Sequence, residues 1–182
     1  MAEPERMTEV LREVYIGFGA NLGDRLDTYV RAKVLLESKL GPISKESSLY
    51  ESAALTLDGA ESQSDYLNSV LVFDSSAPAQ EILAILFEVE AVFRRKREAG
   101  VRWAPRPIDL DLLFIGDEVI NETNLIVPHR ELQKRDFVLC PLCEIAPDLV
   151  HPVLGITVKA LEASLKERGF ERFVLRVVRS DV

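Results

Sequence analysis

The order in which hydrophobic periodicity changes along the chain constrains its fold more than any other feature. Residues 14–18 are a short apolar run closed by the glycine-rich turn Gly19-Ala-Asn21-Leu-Gly23-Asp24, and read as a strand entering a turn. Asp24 then caps a segment reaching about Leu40, in which Leu26, Tyr29, Val30, Lys33, Val34 and Glu37 recur at helical spacing. Gly41-Pro42 stops it. Residues 43–51 read as a second strand, 53–65 as a long polar loop, and 66–73 as a third strand. Pro78 opens a second helix whose Ile82, Leu83, Ile85, Leu86, Val89 and Phe93 form one apolar face. Residues 108–115, closed by Gly116-Asp117, are the fourth strand.

That β-α-β-β-α-β order predicts an α+β fold with a ferredoxin-like core, an antiparallel sheet carrying its two helices on one face. C-terminal additions follow: a hairpin around 119–126, a helical turn from about His129, a helix over about 157–168, and a strand over 172–178 at the sheet edge. The expected organisation is a flexible charged lead-in over 1–13 and a single domain over 14–182.

Charge narrows the function. A net charge of −8 argues against broad nucleic-acid binding and against a membrane-surface role. No apolar run is long enough to span a bilayer, and Met1-Ala-Glu-Pro-Glu-Arg-Met7 lacks the basic start and apolar stretch of a secretory signal, so a cytoplasmic location is expected. Cys140-Pro-Leu-Cys143 has no second cysteine pair to complete a zinc site and is expected to be two buried, structural thiols. His129 and His151 are far apart in sequence and give little support to a histidine-based metal site.

Against this acidic background one segment stands out. Arg94, Arg95, Lys96, Arg97, Arg102 and Arg106 place six basic residues within thirteen positions, immediately before Asp109-Leu-Asp111. Residues two apart on a strand share a face, so the two carboxylates lie together and repel unless a cation separates them. The apolar run Leu112-Leu-Phe-Ile115 implies a covered strand, where uncompensated carboxylates are costly. Hard oxygen ligands of this kind suit Mg²⁺, which is held by one or two carboxylates and by substrate phosphates. Cations beside such a pair match polyphosphate transfer. Trp103 fits either a nucleotide contact or a core position. Tyr66 and Asn68 share a strand face; an amide there matches the edge of a planar heterocycle, although read alone the pair is a core tyrosine and an edge asparagine. Neither a P-loop nor the protein-kinase motif set is present.

Taken together, Gly19-Ala-Asn21-Leu-Gly23, Tyr66-Leu-Asn68, the run from Arg102 through Arg106-Pro-Ile-Asp-Leu-Asp111, Val127-Pro-His129 and the segment 135–147 resemble the 6-hydroxymethyl-7,8-dihydropterin pyrophosphokinase family. The resemblance covers nearly everything from Val14 to about Gly155. It implies transfer of pyrophosphate from ATP to 6-hydroxymethyl-7,8-dihydropterin with release of AMP, in folate biosynthesis, with two Mg²⁺ ions. It implies that Asp109 and Asp111 ligate both ions and that Arg95 and Arg106 act on the transferring phosphates. Glu90, Arg97, Arg102, Trp103, Leu112, His129 and Arg135 would hold ATP. Asn68 would bond the pterin, with Tyr66 and Phe137 on its faces. The implied partners are these small molecules, with no nucleic acid or membrane, and the chain is expected to be a monomer or weak homo-oligomer.

The chain departs from the family pattern in three places. Glu51-Ser-Ala-Ala54 replaces a proline-containing type, one residue is added between Arg97 and Arg102, and Asn124 stands where some members carry a basic residue. Two other readings are a different metal-dependent nucleotidyl- or phosphotransferase and a non-catalytic ferredoxin-like module. An RNA-binding module would show exposed aromatics on central strands and a basic surface, neither of which is evident.

Overall fold

The computed structural model describes residues 10–54, 64–93, 106–167 and 174–178. In chain order the elements are β1 (Arg12–Ala20), α1 (Arg25–Leu40), β2 (Ile43–Glu46), β3 (Leu49–Ser52), β4 (Tyr66–Ser75), α2 (Ala79–Val92), β5 (Asp109–Ile115), β6 (Ile120–Asn121), β7 (Ile126–Val127), a 3-10 turn (Leu132–Lys134), α3 (Asp136–Ile145), α4 (Val158–Glu167) and β8 (Val174–Val178). The main sheet runs β5-β1-β4-β3-β8, with β2 also on β4, and its pairings are antiparallel. The α+β, ferredoxin-like expectation holds, and β8 takes the edge position beside β3.

Local chemistry sets the helix ends. Asp24 accepts the Asp27 N–H at 2.9 Å at the start of α1, and Gly41, at φ +93°, ends it with its N–H on the Glu37 carbonyl. Thr157 does the same work for α4, its hydroxyl accepting the Ala160 N–H at 3.2 Å.

Alternation along the strands divides the core in two. Val14, Ile16, Phe18, Leu71 and Phe73 face α1 and α2, meeting Tyr29, Leu36, Ile82 and Leu86. Tyr15, Val70, Val72, Leu113 and Phe114 face the other way, meeting Leu139 and Leu142 of α3 and Leu161 and Leu165 of α4. Both faces of the sheet are therefore covered, and α3 and α4 close the one that carries the odd residues of β1. Burying a large apolar side chain contributes roughly 1.5–3 kcal/mol, so both layers are needed to hold the sheet.

Three expectations change. The strand expected over 43–51 is two strands. At the break Ser47 donates its N–H to Val70 O at 3.0 Å, while its hydroxyl accepts the Val70 N–H at 2.9 Å in place of a backbone carbonyl. Beyond the helical turn expected from about His129 there is a full helix, α3, which carries Pro141 in its interior at a local cost. Burial of Val138, Leu139 and Leu142 outweighs that local cost. Finally, Cys140 and Cys143 are half-buried rather than core residues. The Cys140 thiol donates to Glu162 of α4, and burial and then Glu162 push its pKa up to about 12; Cys143 is shifted up for the same reasons. Both are poor nucleophiles, in keeping with a structural role. Among the described residues no helix is long and apolar enough to cross a membrane.

Candidate active site

Strand β1 lies between β4 and β5, and its register brings distant residues into line. Gly19 is opposite Asn68 on one side and Asp109 on the other; Gly17 is opposite Val70 and Asp111. With strands spaced about 4.8 Å apart, Asn68 and Asp109 are held roughly 10 Å from one another across the glycine. A Cβ at Gly19 would sit 3.6 Å from Asn68 Oδ1, 3.8 Å from the Tyr66 ring and 3.9 Å from Asp109 Cβ. Any side chain there would fill the space above the strand. The two glycines thus make an open floor.

Above that floor is a cavity of about 770 Å³, counting its mouth. Tyr66 and Asn68 of β4, Ser52 and Ala53 at the end of β3, and Arg135, Phe137 and Val138 at the start of α3 wall it, and Asp109 and Asp111 close one side. A second cavity, of about 920 Å³, opens on the far side of the same two carboxylates. Leu83 and Phe87 of α2, Leu112 of β5, residues 123–126 of the β6–β7 hairpin, and His129 and Arg130 wall that one. Asp109 and Asp111 belong to both.

The carboxylates are compensated by cations. Arg106 Nη1 donates to Asp109 Oδ2 at 2.7 Å and Arg135 Nη1 to Asp111 Oδ2 at 3.1 Å. Arg106 is itself fixed by the glycine-rich turn: its N–H donates to Asn21 Oδ1 at 2.7 Å, and Asn21 N–H donates back to Arg106 O at 3.1 Å. His129 Nδ1 accepts the Glu131 N–H at 3.2 Å, which puts the proton of the neutral ring on Nε2, 3.9 Å from Asp111 Oδ1. Burial, opposed by Asp111 and helped by Arg135, holds the His129 pKa below the ordinary imidazole value.

Asn68 is 4 % exposed, and its amide is committed in one direction. Nδ2 donates to Ser52 Oγ at 2.9 Å and to Tyr50 O at 3.3 Å. Its Oδ1 is left toward Gly19 and the cavity.

Of the residues singled out from sequence, Tyr66, Asn68, Phe137, Arg135, Asp109 and Asp111 line the first cavity. Leu112 and His129 line the second with the same two aspartates, and Arg106 is bonded to Asp109. Glu90 is on neither wall: it is 2 % exposed and accepts the Leu110 N–H at 2.9 Å, tying α2 to β5. Arg95, Arg97, Arg102 and Trp103 lie outside the described residues. Sequence reasoning missed Phe87 and the Ser52 side chain, read Arg130 as a residue to neutralise phosphate or cap a helix end, and left out Asn124, which with Arg130 lines the second cavity. For Phe87 there was a signal, since it is an aromatic off the buried stripe of α2 and is 41 % exposed.

Residues 15–147 match the family described as 7,8-dihydro-6-hydroxymethylpterin-pyrophosphokinase (HPPK). A 2-amino-4-hydroxy-6-hydroxymethyldihydropteridine pyrophosphokinase of Aquifex aeolicus is 44 % identical over 140 residues, covering 77 % of this chain and 84 % of that one. Its namesake in Methylorubrum extorquens is 34 % identical over 163 residues, covering 89 % and 99 %. Among solved structures, wild-type Plasmodium falciparum HPPK-DHPS superimposes with a TM-score of 0.69 at 16 % identity, over 90 % of this chain and 47 % of that one. This chain therefore spans about half of that solved chain, and the likeness at such identity speaks to the fold alone.

Proposed function

The chain belongs to the 7,8-dihydro-6-hydroxymethylpterin-pyrophosphokinase family, and from that premise we propose how its two cavities divide the reaction. The enzyme transfers pyrophosphate from ATP to 6-hydroxymethyl-7,8-dihydropterin and releases AMP, a step of folate biosynthesis. The first cavity takes the pterin and the second the nucleotide. The observation that carries this assignment is the pair Asp109 and Asp111, shared by both walls. A hydroxymethyl group reaching out of one cavity meets the β-phosphorus reaching out of the other at that junction.

The junction fits Mg²⁺. Among the described residues no group of three or more potential ligands gathers anywhere, so a closed structural metal centre is not the pattern here. Two carboxylates at the mouth of two cavities suit an ion that keeps waters and takes its remaining oxygens from phosphates. Asp109 and Asp111 would hold two such ions, which when bound supply charge neutralisation to the phosphates and make the attacking hydroxyl easier to deprotonate.

The chain's own groups do the positioning. Phe137 and Tyr66 offer ring faces to a flat heterocycle, and Asn68 Oδ1 accepts from its edge. With Nδ2 donating to Ser52 and Tyr50, Asn68 is assigned as an acceptor. Arg106 and Arg135, already beside the carboxylates, hold charge at the reacting phosphates, and the neutral His129 presents its Nε2–H on the nucleotide side. Leu112 and Phe87 give apolar contact to the base. Glu90 acts through β5, by holding Leu110. Roles for Arg95 on the phosphates, and for Arg97, Arg102 and Trp103 on the nucleotide, rest on the family resemblance alone. Alignment and charge neutralisation are what such a transfer chiefly requires.

We further read residues 14–182 as one cytoplasmic domain, active as a monomer or weak homo-oligomer. Specific activity is then independent of enzyme concentration. The defining assay combines ATP, Mg²⁺ and 6-hydroxymethyl-7,8-dihydropterin and follows the nucleotide product. AMP is expected in equal amount to the pterin diphosphate; ADP as the product would overturn the assignment.

A further inference from the structure

The connection from β3 to β4 leaves the first cavity at Ser52 and Ala53 and returns to it at Tyr66. The β3–β4 ladder ends at the pair Ser52 and Tyr66, and the cost of closing a long connection, which grows with its length, falls on that last pair. Proline is absent from Glu51-Ser-Ala-Ala54, so backbone stiffness does not reinforce it. Arg25 does. It is the first residue of α1, placed by the turn in which Gly23 takes φ +67° and Asp24 caps the helix. Its Nη2 donates to Glu51 Oε1 at 2.8 Å, on the residue before Ser52. Its Nη1 donates to the Asp65 carbonyl at 2.7 Å, on the residue before Tyr66. The neighbouring Asn21 adds a longer contact from Nδ2 to Ser64 O at 3.4 Å. The planar guanidinium fork can serve both acceptors at once, which a lysine ammonium does less well.

We propose that Arg25 is a positioning residue for the first cavity, its guanidinium clamping the outgoing and returning ends of the β3–β4 connection so that Ser52, Ala53 and Tyr66 stand ready for the pterin. The proposal rests on the reading of that cavity as the pterin site. Arg25 is not on the cavity wall. It acts by sparing the ligand the cost of ordering the rim, so its effect falls on pterin affinity rather than on the chemical step.

The test measures dissociation constants for the pterin and for a non-hydrolysable ATP analogue. It uses the full chain and its R25A, R25K, E51A, R25A/E51A and N68A variants, with kcat and thermal midpoint recorded for each. R25A is expected to weaken pterin binding about five- to tenfold, as loss of a preorganising contact does. The nucleotide constant and kcat at saturating pterin should stay within about twofold. R25K falls between R25A and wild type, and R25A/E51A is no weaker than R25A, because the two substitutions cut the same link. Unchanged pterin affinity in R25A alongside a clear loss in N68A would overturn the clamp and leave the pterin site standing. Equal loss of both ligands, or additive losses in the double variant, would also overturn it. Should N68A leave pterin affinity untouched as well, the cavity assignment itself fails and the clamp falls with it. If R25A does not fold, R25K and E51A carry the same comparison.

Discussion

The two cavities share a pair of carboxylates but are built differently. The first stands on three hydrogen-bonded strands, with a floor of glycines and a polar group, Asn68, whose amide nitrogen is already committed within the protein. The second is walled by the outer side of α2, the β6–β7 hairpin and the turn that follows it, and includes a partly exposed phenylalanine. The first suits a flat, rigid ring that must be read in one orientation. The second suits a longer, charged molecule for which apolar contact at one end and cations at the other matter more than a single fixed edge. Precision at the first cavity comes from strand register, which cannot drift by one residue without turning each side chain to the other face.

The sharpest test of this division is the element the two sides share. Asp109→Asn and Asp111→Asn should each lower kcat/KM on the order of a thousandfold, since a metal-binding and charge-organising group is lost from both sides. Near-normal turnover at low Mg²⁺ would break the comparison at its root. Relief of repulsion alone would leave stability equal or higher. Each carboxylate also has an arginine, at partly exposed positions, so the expected change is a loss of about 0–1 kcal/mol. Urea unfolding measures it.

Asn68→Ala comes next. It leaves the Ser52 hydroxyl and the Tyr50 carbonyl without the donor they now share, and removes the acceptor facing the ligand. A cost of roughly 1–3 kcal/mol is expected, about five- to 150-fold in pterin affinity. Nucleotide affinity should hold; a parallel fall in both would mean the cavities are not separate sites. The mirror experiment is Phe87→Ala. Loss of one partly exposed aromatic contact should weaken nucleotide binding a few-fold, about 0.5–1.5 kcal/mol, with pterin binding and stability unchanged. If pterin binding moved instead, the cavities would have to exchange ligands.

The smallest expected effect is on pH. Burial holds His151 below its ordinary pKa, and its Nδ1 accepts the N–H groups of Val153 and Leu154 at 3.3 Å, while its ring makes a T-shaped contact with that of Phe114. His129 is displaced in the same direction. The folded state therefore takes up these protons at lower pH than the unfolded chain does, and the unfolded chain binds more protons in between. Stability should be full above about pH 6.5 and decline as pH falls from there toward the folded-state values. His151→Gln, which keeps an acceptor without the titration, should flatten that decline in unfolding midpoints taken between pH 7.5 and 5. An unchanged slope would show that His151 does not contribute to it.

Much of this was legible along the chain. Periodicity located both helices of the core and the strands that carry Asp109, Asp111, Tyr66 and Asn68, because burial on one side of an element leaves a repeat in its own sequence. The adjacency of six basic residues to two alternating carboxylates was legible for the same reason: it is local. What was not legible had a local cost that only distant packing offsets. The α3–α4 layer holds a helix in spite of the local cost of Pro141, and Ser47 broke a strand by using its side chain as a ladder acceptor.

The sequence by itself determined the element order, the fold class and the kinds of side chain available for phosphate, metal and ring recognition. The tertiary structure decided which of them meet. Asn68 and Asp109 are 41 residues apart and become neighbours of one glycine only through the register of β1 with both β4 and β5. Arg25 reaches the two ends of the β3–β4 connection across 26 and 40 residues. Local patterning is written by the solvent preference of each residue, whereas register and long-range clamps follow from the joint packing of elements, which no single stretch of the chain encodes.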